Sequence, residues 1–416
     1  VTTKEPADSV SYPRLSARTL RFSLGAPRSF TVSPDGARVV FLRAPSGTDR
    51  GTMLWTYDVA SGTERVIVDA SELLQADDEQ LSPEERARRE RLREGASGVV
   101  GYATDSAVTV AAFALSSRLW VADLSTGDVR ELPAQPPVVD PRPDPTGTYV
   151  AYASNGQLRV SRVDGTLDRA LAEPGQGPGS DTIAWGTAEF IASEELDRFR
   201  GFWWSPDGAS LLTERYDEAP VHQWSIADPA NPDREPAKVR YPAAGTPNAD
   251  VSLWLVDVGG HSRLEVEWDR ERFPYVAEVS WPASAAGPLL WVLRRDQRVA
   301  QLLAVDTESR TTKLLHEATD DAWIDVVPGV PALLPDGRLL TIADEPDTRR
   351  LAFDGKPVTP EGLQVAAVLH VGEDGVLIAA TTEPTEQHVY RLALDGTLTA
   401  LTDAPGIHTA RAGGGS

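Results

Sequence analysis

Ser193-Glu194-Glu195-Leu196-Asp197-Arg198-Phe199-Arg200-Gly201-Phe202-Trp203-Trp204-Ser205-Pro206-Asp207-Gly208 holds both the turn that decides the fold and the acidic pair that bears on function. Ser205-Pro206-Asp207-Gly208 is a tight turn in which proline presets φ and glycine supplies the left-handed position. An apolar, aromatic run precedes it and another apolar run follows, so the segment reads as strand, turn, strand.

The same signal recurs at Ser33-Pro34-Asp35-Gly36, Asp144-Pro145-Thr146-Gly147, Pro335-Asp336-Gly337 and Glu373-Asp374-Gly375, each leading into a run such as Ala37–Leu42 or Thr148–Ala153. A second hairpin type alternates with it, turning at Ser61-Gly62, Thr126-Gly127 and Gly259-Gly260, with similar runs at Gln301–Asp306 and His388–Asp395. Strand-rich units repeating at about 35–50 residues are the signature of a β-propeller. The spacing predicts an all-β, eight-bladed β-propeller with units at 30–70, 100–133, 141–172, 182–226, 238–267, 275–316, 322–353 and 363–401.

Two insertions interrupt the repeat. Within 71–98, Ser82-Pro83-Glu84-Glu85 is a capping box with proline at the first helical position, which predicts a polar helix over 82–94 stopped by Gly95. Residues 226–250 are proline-rich and read as an extended arm leaving its blade. The expected organisation is an N-terminal extension over 1–29, a propeller over 30–403, and a hinge or linker tail over 404–416 ending in Gly413-Gly414-Gly415-Ser416.

Composition narrows the function. With 40 basic against 62 acidic residues, the 416-residue chain carries a net charge of −22 and disfavours nucleic acid and anionic membranes as partners. Arginine supplies nearly all of the basic residues, which says nothing of function. There is no cysteine, so disulfides, thiolate metal sites and a cysteine nucleophile are excluded. No apolar run approaches the roughly 18–20 residues that span a bilayer, and the first thirty residues carry no signal-peptide pattern. A cytoplasmic location is therefore expected.

Candidate chemistry is confined to binding. No Gly-x-Ser-x-Gly elbow occurs, and His222, His261, His316, His370, His388 and His408 form neither a Ser/Asp constellation nor a metal-binding spacing. No catalytic residue, metal ligand or cofactor site is expected. Glu194 and Glu195 allow two readings. Behind Ser193 as N-cap they would merely complement a helix macrodipole at its first turn. Alternatively they supply the acceptors that a peptide's N-terminal ammonium needs on leaving water, in charge-assisted bonds of about 1.5–3 kcal/mol each. The 82–94 helix has too few apolar residues to be held by core burial. It is either a solvated helix with Glu85–Arg89 pairing or a mount for arginines that donate to a peptide carbonyl.

These residues form a pattern. The stretch from Glu194-Glu195 to Trp203-Trp204-Ser205-Pro206 resembles the double-glutamate motif of the dipeptidyl peptidase IV family, in the prolyl oligopeptidase superfamily of serine peptidases. Its version in the cytosolic dipeptidyl peptidases and their bacterial relatives is the nearest. The helix from Glu84-Glu85 to Arg93 resembles the arginine-bearing segment of the same branch. Arg240-Tyr241-Pro242-Ala243-Ala244-Gly245-Thr246-Pro247-Asn248 is similar to the family's Tyr-Pro-x-Ala-Gly-x-x-Asn stretch, and Trp291-Val292-Leu293-Arg294-Arg295-Asp296-Gln297 to its Leu-Asn-Arg-x-Gln strand. One departure stands out: Arg349-Arg350-Leu351-Ala352 replaces an Arg-His-Leu-Tyr-like strand.

The resemblance implies an eight-bladed propeller that gates a C-terminal α/β-hydrolase domain. In it Glu194 and Glu195 grip the substrate's ammonium, and Arg93 contacts the carbonyl of the second residue from the scissile bond. The catalytic serine, aspartate and histidine would lie in the hydrolase domain, which is absent from this chain, so the chain alone is expected to be inactive. The partners implied are peptides with a free N-terminus, releasing X-Pro or X-Ala dipeptides, the hydrolase domain itself, and a second copy through the 226–250 arm. The competing reading is a free-standing TolB-like propeller acting as an interaction scaffold, which would need neither the glutamate pair nor the arginine helix.

Overall fold

A computed structural model describes residues 10–74, 79–344 and 347–413. The chain divides into two compact units, one built from the residues up to Ser154 with Ser161–Asp168, the other from Asn155–Val160 with the residues from Arg169 onward. Antiparallel sheets follow one another along the sequence. In the first, strands Arg28–Val32, Arg38–Arg43, Gly51–Asp58 and Thr63–Val68 pair in sequence order, with Ser97–Gly98 added in parallel to the third. Ala103–Thr104 through Val129–Glu131 form the second and Val139–Pro143 through Asp168–Ala172 the third, each of four consecutive strands. The fifth, sixth and seventh sheets repeat the meander over Tyr275–Ser280 to Thr312–Thr319, Ala332–Leu333 to Lys356–Pro357, and Gln364–Gly372 to Leu398–Ala400. This is the β-propeller repeat that the turn spacing predicts.

Alternation explains the packing. Along Val110–Leu115, Phe113 and Leu115 join Val40, Leu42 and Leu54 of the first sheet, whereas Ala112 joins Val150 and Tyr152 of the third. In the other unit, Leu290 and Val292 pack with Leu253 and Leu255, while Leu289, Trp291 and Leu293 pack toward Leu333 and Leu339. Successive side chains on a strand point to opposite faces, so a strand apolar at every position is buried on both sides. Two of the predicted turns, both Ser-Pro-Asp-Gly, close by one device. Asp35 Oδ1 accepts from Ser33 Oγ at 2.5 Å and from the Ala37 N–H at 3.0 Å, and Asp207 repeats this with Ser205 and Ala209 at 2.5 and 3.0 Å.

The fourth sheet departs from the expected spacing. Ile183–Thr187, Arg200–Trp204, Ser210–Asp217, Asp250–Asp257 and Arg263–Glu265 belong to a single sheet, so the units read at 182–226 and 238–267 are one. Among the described residues there are eight sheets: seven of four or five strands, and one two-stranded hairpin of Gln223–Ile226 with Ala237–Arg240. That hairpin is the arm, and it opens between two strands that pair along their whole length, Ser210↔Asp257 through Asp217↔Asp250. An insertion this long between partner strands looks in sequence like another repeat.

Four α-helices, α1 (Tyr12–Arg18), α2 (Ala70–Leu73), α3 (Pro83–Arg91) and α4 (Phe190–Glu195), and one short 3-10 helix, Ser180–Thr182, complete the described residues. Of these, α1 lies in the segment read as the N-terminal extension. None is long and apolar enough to cross a membrane. The connection that carries α4 is pinned by glycine. Gly186 and Gly201 face each other across paired strands, and a Cβ on Gly201 would collide with the backbone of Thr187. Gly201→Ala is expected to lower stability by about 1–3 kcal/mol, as overpacking does. A urea midpoint matching that of the parent protein would contradict this.

Candidate functional site

In the second unit, α4 presents the acidic pair at its end, where a helix start was expected. The N-cap is Glu189, whose carboxylate accepts from the N–H groups of Ile191 and Ala192, both at 2.7 Å. Ser193 therefore lies inside the helix, and its Oγ donates to the carbonyls of Glu189 and Phe190, both at 3.1 Å. Glu194 and Glu195 occupy the last turn and are exposed. The macrodipole there favours cations and disfavours carboxylates by about 0.3–1 kcal/mol each. The bland explanation for the pair, complementing a helix start, is thereby removed.

Past the helix, Asp197 takes the left-handed conformation at φ 53° and the Arg198 N–H returns to the Ala192 carbonyl at 2.9 Å. The Arg198 side chain is buried. Its Nη2 donates to Glu214 Oε2 at 2.5 Å, its Nε to the Val276 carbonyl at 2.8 Å and its Nη1 to the Arg200 carbonyl at 2.6 Å. Glu214 Oε1 accepts the Glu189 backbone N–H at 2.9 Å. At the other face of α4, Phe190 meets Tyr241 edge-on at 5.3 Å, and Tyr241 meets Trp224 of the arm at 5.9 Å.

Burial governs the charges. Desolvation, and then repulsion from Glu214, raise the Glu189 carboxyl from 4.5 to about 7, although its two backbone bonds and Arg198 pull the other way. Glu214 is raised by burial against the pull of Arg198, and Glu278 is likewise raised by burial against Arg198 and Arg200.

In the first unit, α3 answers the question of what holds a helix without apolar residues. Its buried side chains are Glu85 and Arg89. Arg89 donates to Glu85 at 2.8 Å and bidentately to Glu79 at 2.6 and 3.2 Å, while Glu79 also accepts the Gly98 N–H at 3.0 Å. Burial pulls the Arg89 guanidinium down, but the bonds to Glu79 and Glu85 prevail and leave it above its usual value. The Glu85–Arg89 pair is thus an anchor and not a solvated surface contact. Ser82 caps the helix as expected, accepting the Glu85 N–H at 3.1 Å, and its own N–H donates to Ser117 Oγ at 3.1 Å.

The helix stops before Gly95. The Arg93 N–H bonds the Glu90 carbonyl at 3.0 Å and the Glu94 N–H the Arg89 carbonyl at 2.8 Å, which makes Arg93 the left-handed residue of a Schellman motif, at φ 52°. Glycine normally fills that position, and an arginine there carries backbone strain of about 1 kcal/mol or more. The Arg93 side chain is exposed, with no hydrogen bond or ion pair to another described residue. Glu194 and Glu195 belong to one unit and Arg93 to the other. Sequence reasoning missed Glu189, Glu214, Arg198 and Glu79. The strand that carries Glu214, Ser-Leu-Leu-Thr-Glu-Arg-Tyr-Asp over 210–217, also holds Arg215 and Asp217, so no local signal marks Glu214 as the buried one.

Residues 109–412 match the dipeptidyl peptidase IV (DPP IV) N-terminal region. The chain belongs to this family. A probable dipeptidyl-aminopeptidase B of Emericella nidulans is 26% identical over 346 residues, covering 71% of this chain and 37% of that protein. Dipeptidyl peptidase 8 of Homo sapiens is 24% identical over 362 residues, covering 70% of this chain and 40% of the relative. The chain thus spans well under half the length of these relatives. The crystal structure of Porphyromonas gingivalis dipeptidyl peptidase 4 shares the fold, with a TM-score of 0.72 at 18% identity over 96% of this chain and 56% of that one.

The raised Glu189 carboxyl has a consequence for stability. Its proton is bound more tightly in the folded than in the unfolded chain, so the contribution is full below 4.5 and is lost as pH rises to about 7. Glu189→Gln is expected to remove about 1–3 kcal/mol of the pH-dependent loss between pH 5 and 8, since each unit of displacement is worth about 1.4 kcal/mol. Denaturant midpoints measured across that range for parent and variant check it, and parallel curves would contradict it.

Proposed function

We propose that this chain is the substrate-recognising and gating propeller of a serine dipeptidyl peptidase, in which Glu194 and Glu195 take the ammonium of a peptide's N-terminus. The single observation that carries this reading is the placement of two exposed carboxylates at the C-terminal end of α4, where the macrodipole supplies no reason for them. A cationic ligand supplies one. Family membership and the double-glutamate pattern support the same reading over a free-standing scaffold. Arg93, strained and without a partner among the described residues, is proposed as the donor to the peptide carbonyl.

Cleavage belongs, on this reading, to a C-terminal α/β-hydrolase domain of the same protein, and the released dipeptides carry proline or alanine in the second position. An extended chain advances at most about 3.3–3.6 Å per residue, so carboxylates fixed about two residues from a nucleophile measure off a dipeptide. A second copy is proposed to dock on the arm, where Trp224, Ile226, Val239 and Tyr241 are exposed. A cytoplasmic location accompanies this reading.

The test is calorimetric binding of an Ala-Pro tripeptide with a free amine and of its N-acetyl form. The parent chain is expected to prefer the free amine at least ten-fold, as one charge-assisted bond of about 1.5–3 kcal/mol requires. Glu194→Gln with Glu195→Gln is expected to abolish that preference. Equal binding of the two peptides by the parent chain would overturn the reading.

A further inference from the structure

Glu214 is fully buried in the middle of the Ser210–Asp217 strand, whose preceding residues Leu211, Leu212 and Thr213 are also 0% exposed. A carboxylate in such a place persists only when paired and hydrogen-bonded. Replacing a buried ion pair by apolar side chains of similar size is often neutral or stabilising, so stability alone does not call for a charge here.

Its two oxygens do different work. Oε1 accepts the backbone N–H of Glu189, the N-cap of α4, and Oε2 accepts from Arg198, which lies just beyond the end of the same helix. Arg198 extends the connection to the Val276 and Arg200 carbonyls, with its guanidinium 5.7 Å from the centre of the Trp203 ring. One buried carboxylate thereby ties down both ends of the segment that carries Glu194 and Glu195. With the segment closed at each end, α4 has no freedom to fray or turn, and binding bears no cost of ordering it.

We propose that Glu214 is a positioning residue for the Glu194–Glu195 pair, holding α4 so that both carboxylates meet a ligand's ammonium in one geometry. This rests on the recognition reading given above.

Arg198→Met with Glu214→Leu replaces the pair by apolar side chains of similar size and leaves no charge stranded. Circular dichroism monitors folding, and calorimetry gives the ratio of free-amine to N-acetyl Ala-Pro tripeptide affinities. The variant is expected to stay folded while its preference for the free amine falls at least ten-fold, with faster amide exchange at Ile191 and Ala192. Glu214→Gln, which keeps shape and one acceptor, is expected to fall between variant and parent. A purely structural role would change stability and leave the ratio alone. If the folded double variant keeps the parent's ratio, the role of Glu214 is refuted and recognition by the pair survives. If the parent itself shows no preference, the recognition reading fails and takes this inference with it. Should the double variant not fold, Glu214→Gln decides, and a ratio equal to the parent's refutes the proposal.

Discussion

The ion pair between Glu214 and Arg198 sits under everything that gives the acidic pair a fixed place. A carboxylate with no exposure to water is costly, and here the cost is met by one guanidinium and one backbone N–H. Because those two donors come from either side of α4, the helix cannot shift without leaving a buried charge unpaired. The six residues of α4 are too few to be stable on their own account. Its shape is imposed by the strands beneath it.

The other unit uses the same principle with different residues. Helix α3 buries no apolar side chain, yet Glu79 and Glu85 enclose Arg89 and hold it in place. In both units a short helix is fastened by a buried ionic contact, and exposed charged side chains project from the helix end: Glu194 and Glu195 from α4, and Arg93 just past α3. In both, the residue that lets the chain turn away is a non-glycine in the left-handed region, Asp197 and Arg93. Strain of that kind is kept where surrounding structure over-determines it.

The repeating sheets were legible in the sequence because their signal is local. Ser-Pro-Asp-Gly and its variants dictate a turn wherever they occur, and two-sided burial leaves uninterrupted apolar strands beside them. The pairing of Ser210–Asp217 with Asp250–Asp257 was not legible, since an arm separates partners that no nearby residue identifies. The acidic pair was visible as a pair, but its setting was misread. Ser193 is a preferred N-cap residue and Glu189 is not, so local propensity put the helix start too late. The anchors Glu79 and Glu214 lie outside the helices they hold, and only the fold brings them there.

On the proposed reading, a peptide's leading amine docks on the end of α4. A crystal structure of the chain with an Ala-Pro tripeptide tests it most directly. The ammonium nitrogen is expected within about 3 Å of oxygens from both Glu194 and Glu195, the usual length of a charge-assisted bond. A bound peptide whose amine points to solvent or to another part of the chain would contradict it.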